Sequence, residues 1–413
     1  MPVCLLVINQ YSGNKGDRAV LYAMCRILKS IYRDVEITVS TSEPELWNGY
    51  KYYSSEGIRF VPWGWDYDRV KKYKFYWRFL NRFKKYTFTL LRESFMRNVS
   101  LARFLANPEF KKALKQSSVV ISVGGHHFTT MLSRDLVSSI NFDAMVASSY
   151  RRIICFSQSF GPFDFHNPKN RLLTQRLLSN SILMPREEKS VKEIHTFLGK
   201  EEAEVIPTYE SVLTLANHIQ YLPIEQRDNA VGIAIYCTQS RTVEERKHYQ
   251  QTIADFCNYV IDKGYSIRFF PMEIKGSAPD DRGFIAEIIA KVLRADKCFI
   301  YEDDMETLEH LEEVSKCKIF LGHKTHSTIF ALATGTPLIA LAYHPKTIKF
   351  LQQFDMALNA IDDKQLSIQA LIQVLDRLNT NLDEISQLEF NRSQEKAKKI
   401  SSDLMTAINI LSR

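Results

Sequence analysis

No run in this chain of 413 residues approaches the roughly twenty apolar positions that a bilayer-spanning helix needs. The nearest, 329–343, is broken by Thr334, Gly335, Thr336 and Pro337. Residues 1–9 have neither the basic flank nor the apolar length of a signal peptide. The expected location is therefore the cytosol, with peripheral attachment to the inner face of a membrane as the one elaboration. Paired cysteine motifs are missing too. The seven cysteines are odd in number, lack any CxxC pair, and several sit in apolar strand-like runs. Buried structural thiols in a reducing compartment are expected, in preference to a disulfide scaffold, metal ligands or a nucleophile. Glycine is sparse, at 15, and GxGxxG is absent, which excludes collagen-like repeats and leaves a dinucleotide poorly supported. What remains is 45% hydrophobic and 24% charged, an ordinary globular composition. The length exceeds the roughly 250–300 residues at which a single core stops growing, so two domains are expected.

Charge is local. Between Arg69 and Arg103 stand eleven Lys/Arg against one acid, Glu93, so the rest of the chain is net acidic although the whole carries +7. The same stretch, taken one residue further to Phe104, holds Tyr73, Phe75, Tyr76, Trp77, Phe79, Phe83, Tyr86, Phe88, Phe95 and Phe104. Interleaved cations and aromatics suit an amphipathic helix on an anionic membrane surface. They suit equally an insertion over about 69–104 whose rings pack on the domain while its cations are solvated. Nucleic acid is not expected, because no recognition motif accompanies the patch.

Short β-branched runs alternate with amphipathic stretches. Strands are expected at 3–9, 35–40, 58–61, 118–123, 153–157, 182–184 and 205–206, then at 231–236, 266–270, 298–300, 319–322 and 338–342. Helices fill the gaps, and polar helices run from about 363 to 411. Such alternation implies mostly parallel sheets covered by helices on both faces. The polar stretch 223–229 interrupts the pattern, giving an α/β protein of two Rossmann-like domains, 1–225 and 226–413, with a ligand cleft between them. Ligands of such sheets bind beyond the carboxyl ends of the strands, so functional residues are sought in strand-to-helix loops.

The first loop holds Asn14, Gly16 and Asp17, the last reading equally as helix cap or ligand contact. A second holds Gly124-Gly125-His126-His127. Contact with a polar substrate is the better reading there, since metal binding lacks a nearby third ligand. Gln158 lies in a third, which turns at Gly161-Pro162. Arg186 follows a strand and opens a helix, where it suits a phosphate or carboxylate, or else a surface pair with Glu187 or Glu188. The strongest loop is Gly322-His323-Lys324-Thr325-His326. One cation, two imidazoles and a helix start converge there: the helix start and Lys324 favour an anion, and His326 can move a proton near neutral pH. Lys346 adds a cation to the same edge.

Taken in order, these loops resemble the polysaccharide pyruvyl transferase family. The matching pieces are Asn14-x-Gly16-Asp17, Gly124-Gly125, Ser157-Gln158-Ser159-Phe160-Gly161-Pro162-Phe163 (similar to the family's GQSIGPF), Arg186 to Ser190, Asp280-Asp281, and Gly322 to His326 followed by Lys346. Two positions depart: Lys324 stands where the family usually has Arg in an R-x-H triplet, and Ser157 where it usually has Gly. Lysine keeps the charge but loses the bidentate fork.

The resemblance implies a GT-B-like arrangement, phosphoenolpyruvate as donor, and a pyruvate ketal bridging two hydroxyls of a sugar in a surface polysaccharide or its lipid-linked precursor. It implies His326 as catalytic and Arg186 and Lys324 as donor-anion contacts, which Thr325 and Lys346 would join. Acceptor-side candidates are Asn14, Asp17, His126, His127 and Gln158. No cofactor and no metal are expected, and phosphoenolpyruvate is a co-substrate. Two rivals remain. One is a sugar-nucleotide glycosyltransferase on the same scaffold, with Glu302, Asp303 or Asp304 as ribose ligand. The other is a non-catalytic glycan- or membrane-binding relative.

Overall fold

The computed structural model describes residues 2–8, 10–64, 83, 99–131, 139–236, 241–274, 279–343 and 345–412. Most of the basic, aromatic stretch 69–104 therefore lies outside the described residues, as do Cys237 and His344; its last part begins the helix Val99–Leu105. The chain forms two compact units. One comprises Met1–Tyr11, Val20–Ser211 and Lys399–Arg413, the other Ser12–Ala19 and Val212–Lys398. The expected division at 225/226 is simpler than this, because a short N-terminal segment and the end of the chain each belong to the other unit.

The first unit contains a seven-stranded parallel sheet of β1 (Val3–Ile8), β2 (Glu36–Thr41), β3 (Arg59–Pro62), β4 (Val119–Val123), β5 (Ile153–Gln158), β6 (Ser181–Pro185) and β7 (Glu204–Val205), in the order β3-β2-β1-β4-β5-β6-β7. Strands β4 and β5 are buried at every position. Helices cover both faces of a parallel sheet, which is why these runs are uniformly apolar rather than alternating. Leu5, Val120, Cys155 and Leu183 share one core with Phe110, Phe128, Phe160 and Ile194.

The second unit repeats the plan with β8 (Asp228–Ala234), β9 (Ser266–Phe269), β10 (Cys298–Ile300), β11 (Cys317–Gly322), β12 (Leu338–Ala342) and β13 (Ala360–Asp362), in the order β10-β9-β8-β11-β12-β13. Strand β13 was not expected from the sequence. It has three residues, pairs among the described residues only with β12, and offers no apolar run to read. The expected C-terminal helical region resolves into helices Ile368–Thr380 and Leu382–Leu411. The buried Arg227 guanidinium ties the last of these down, donating to Leu222 O at 2.7 Å, Gly335 O at 3.0 Å and Ser386 Oγ at 3.0 Å.

Both sheets reverse strand order once, between β1 and β4 and between β8 and β11. Loops at the carboxyl ends of strands flanking such a reversal are where open α/β sheets bind ligands. The loops singled out from the sequence follow β1, β4, β5, β6 and β11. Among the described residues no helix is long and apolar enough to cross a membrane. The six described cysteines are all free thiols, and burial raises Cys4 to about 12.

Candidate active site

In the second unit, β11 ends at Gly322, and after His323 and Lys324 the helix Thr325–Thr334 opens. Lys324 is the residue before the helix. Its carbonyl accepts from the amides of Ser327 at 2.9 Å and Thr328 at 3.2 Å, and no side chain caps this end. An uncapped helix start carries partial positive charge that favours an anion. The Lys324 ammonium donates to both oxygens of Asp281, at 2.9 and 3.2 Å. Asp281 is itself buried and also accepts from the amides of Met272 and Glu273, at 3.0 and 2.9 Å. Its neighbour Asp280 caps the helix Asp281–Ile289 and pairs with Arg282. The Asp280-Asp281 motif thus caps a helix with one carboxylate and orients the lysine with the other.

The two histidines of this loop have different fates. His323 is fully buried, its Nδ1 2.9 Å from the Tyr249 hydroxyl and its Nε2 3.4 Å from Asp363. Burial, with Arg241 and Lys324 nearby, holds its pKa well below the ordinary range, so it is a neutral core residue. His326 is half-buried and lies against Gly16. A Cβ at Gly16 would fall 2.4 Å from His326 Nδ1, so only glycine fits. Thr325 Oγ1 lies 3.3 Å from the Tyr343 hydroxyl. Lys346 falls in the helix Pro345–Gln352, and its side chain lies outside what is described.

Gly16 reaches His326 because the loop after β1 pairs with the loop after β9. The Lys15 amide donates to Met272 O at 2.8 Å, and the Ile274 amide to Gly13 O at 3.1 Å. Asn14, expected as an acceptor contact, is instead the cap of the helix Lys15–Ile31: its Oδ1 accepts from the Asp17 amide at 3.0 Å while its Nδ2 donates to Glu273 at 2.7 Å. Asp17 is therefore in the first turn and is not the cap. Arg18 pairs with Asp304, which engages one of the carboxylates considered for a ribose.

In the first unit, the ends of β4, β5 and β6 bring together the glycine-histidine loop, the 157–163 turn and Arg186. The Arg186 guanidinium donates to Ser159 Oγ at 3.0 Å and pairs with the buried carboxylate of Glu210, not with Glu187 or Glu188. Any anion at Arg186 competes with Glu210. His127 is half-buried, and desolvation, with Arg186 and His126 adding to it, lowers its pKa to about 3, so it stays neutral. His126 Nε2 lies 2.6 Å from Gly161 O. Gln158, expected at the acceptor, is fully buried and donates to Ser122 O and Ser122 Oγ, both at 2.8 Å. It braces β4 against β5 and does not present its amide to solvent.

Ser157 explains its own departure from the family pattern. Its φ is 52°, the left-handed region that glycine adopts freely. Here the hydroxyl compensates by donating to Tyr209 O at 3.0 Å and accepting from the Ser211 amide at 2.9 Å. Glu210, Lys15 and Arg18 were not singled out from the sequence. Glu210 sits beyond β7 in no motif, and the other two gain their surroundings only through contact with residues 272–310. No cluster of metal-ligating side chains occurs among the described residues.

Comparison with known proteins supplies the family. Residues 14–345 match the model for polysaccharide pyruvyl transferase. The chain is 24% identical, over 98% of its length and 99% of the other's, to the amylovoran biosynthesis protein AmsJ of Erwinia amylovora. Among solved structures it resembles an S. aureus MnaA–UDP complex (TM-score 0.59, 12% identity, covering 100% of this chain and 98% of that one). It also resembles the UDP-GlcNAc 2-epimerase of Methanocaldococcus jannaschii (TM-score 0.53, 13% identity, 91% and 92%). At these identities the structural likeness establishes the fold alone, two GT-B-like Rossmann units. The family match covers all the loops described above, from Asn14 to His326, and on it the chain belongs to the polysaccharide pyruvyl transferase family of transferases.

Proposed function

We propose that this enzyme transfers the enolpyruvyl group of phosphoenolpyruvate onto two hydroxyls of a sugar in a surface polysaccharide or its lipid-linked precursor, forming a cyclic pyruvate ketal. The observation that carries the reading is the β11 loop. An oriented ammonium, an uncapped helix start and a half-buried imidazole pressed on Gly16 stand within three residues of one another, in a chain of this family. Lys324 and the helix start answer the charge of a small, dense anion, and Arg186, in the first unit, is a separate candidate for contact with an anion.

His326 then protonates the methylene carbon of the enol. Positive charge develops at the neighbouring carbon, a sugar hydroxyl attacks it, and Asp17 is the candidate to take the released proton. The second hydroxyl displaces orthophosphate and closes the ring. One hydroxyl proton restores His326 and the other leaves with the phosphate, so the sum is diol plus phosphoenolpyruvate giving ketal plus orthophosphate. A neutral His127 suits a hydrogen bond to a sugar hydroxyl better than proton storage. The basic, aromatic stretch 69–104 fits attachment to an anionic membrane face, where a lipid-linked acceptor would lie.

The test is phosphate release from phosphoenolpyruvate with galactose, mannose, glucuronate and N-acetylhexosamine acceptors. His326→Gln should fold and lose about 10²–10⁴-fold in turnover, the usual worth of a general acid. Near-full turnover in that variant removes the role of His326. Binding of a uridine sugar but not of phosphoenolpyruvate replaces pyruvyl transfer with glycosyl transfer.

A further inference from the structure

Lys15 is the first residue of the helix Lys15–Ile31 and only 3% exposed, and its ε-amine has no hydrogen-bond partner among the described residues. A buried ammonium without a partner is costly, and such groups in folded proteins call for an explanation. The cations around it are already engaged: Arg18 with Asp304, Arg282 with Asp280, and Lys324 with Asp281. Lys15 lies within electrostatic reach of Arg18, Arg282, Asp281 and Asp304, so it shares the field of the carboxylate that orients Lys324. It also bears on His310, a buried imidazole set between the rings of Phe270 and Phe330 that supplies no hydrogen bond to it. The next residue in the chain, Gly16, is the one against which His326 rests.

We propose that Lys15 is a direct contact of the donor's phosphoryl group, its buried ammonium donating to phosphate oxygens at the start of the helix Lys15–Ile31. This rests on the pyruvyl-transfer reading for the identity of the donor, while the site itself requires only a phosphoryl group. Burial, reinforced by Arg18, lowers the Lys15 amine to about 8. Phosphate oxygens beside it raise that value again, so binding near pH 8 takes up part of a proton.

Isothermal titration with inorganic phosphate, phosphoenolpyruvate and UDP, each in two buffers of different ionisation enthalpy at pH 8, tests the assignment on wild type and Lys15→Met. Wild type should take up protons with phosphoenolpyruvate. Lys15→Met should bind it at least tenfold more weakly, take up none, and melt at or above the wild-type temperature in the absence of ligand, because an uncompensated buried charge is gone. A purely structural lysine gives the opposite melting result. If Lys15→Met does not fold, the assignment is decided by wild-type proton uptake together with Lys15→Arg, which keeps the charge and should bind phosphoenolpyruvate with reduced uptake. Phosphoenolpyruvate affinity within twofold of wild type in Lys15→Met, or uptake unchanged by either substitution, overturns the role of Lys15 and leaves pyruvyl transfer standing. Lys15-dependent binding of UDP with no binding of phosphoenolpyruvate supports the phosphoryl contact and sinks the pyruvyl reading.

Discussion

At the scale of single residues, Ser157 shows how a side chain can hold a conformation that its backbone resists. A non-glycine residue at positive φ costs roughly 1–2 kcal/mol, and the hydroxyl offsets this through its bonds to Tyr209 and Ser211. Ser157→Ala keeps the backbone cost and removes the hydroxyl's bonds to Tyr209 O and to the buried Ser211 amide, a loss of about 1–3 kcal/mol. Ser157→Gly loses the same bonds but relaxes the backbone, so it should stay within about 1 kcal/mol of wild type. Urea midpoints of the two variants measure the difference, and an alanine variant as stable as the glycine one contradicts the account. Lys324 is the other departure. Its single ammonium spans both oxygens of Asp281, so the ion pair forms here without a guanidinium fork.

At the scale of elements, the close approach of Gly16 to His326 joins two helix starts, and the effects of Gly16→Ala on stability and on turnover should separate. Alanine in the first turn of the helix Lys15–Ile31 is favoured over glycine by up to about 1 kcal/mol. The added methyl has no room, however, and the imidazole must shift. Displacing a reacting group by about 1 Å can cost on the order of 10²-fold in rate. The expected result is a melting temperature near wild type with phosphate release from phosphoenolpyruvate reduced by about 10–100-fold. Unchanged release shows that His326 does not need its resting place. Strand positions were legible in the sequence because strands buried on both faces are unbroken apolar runs, as in 119–123 and 153–158. The cap of the first helix stayed open in the sequence because Asn14 and Asp17 are both good caps and only the hydrogen bond from the Asp17 amide to Asn14 decides between them. The Arg186–Glu210 pair, the burial of Gln158 and the setting of Lys15 were not legible. Each is made by residues far apart in the chain, and no local pattern encodes such a meeting.

At the scale of the whole molecule, neutral histidines held out of water should govern the response to acid. His127 belongs to the first unit and His310 and His323 to the second. Burial lowers His127 to about 3 and takes the other two well below the ordinary range. Unfolded, each titrates near 6.5. Below that pH the unfolded chain binds protons that the folded chain refuses, so their contribution is fully present above about pH 6.5 and is lost as pH falls from there. Each group steepens the loss by up to about 1.4 kcal/mol per pH unit. His310 isolates the effect, because its ring makes aromatic contacts but no hydrogen bond among the described residues. His310→Leu should lie close to wild type at pH 7.5 and gain on it progressively as pH falls below about 6.5, by up to about 1.4 kcal/mol per pH unit. Denaturant melts of both proteins from pH 7.5 to 5 measure that gap; two parallel curves would mean that His310 accepts a proton in the folded state and that the acid response arises elsewhere.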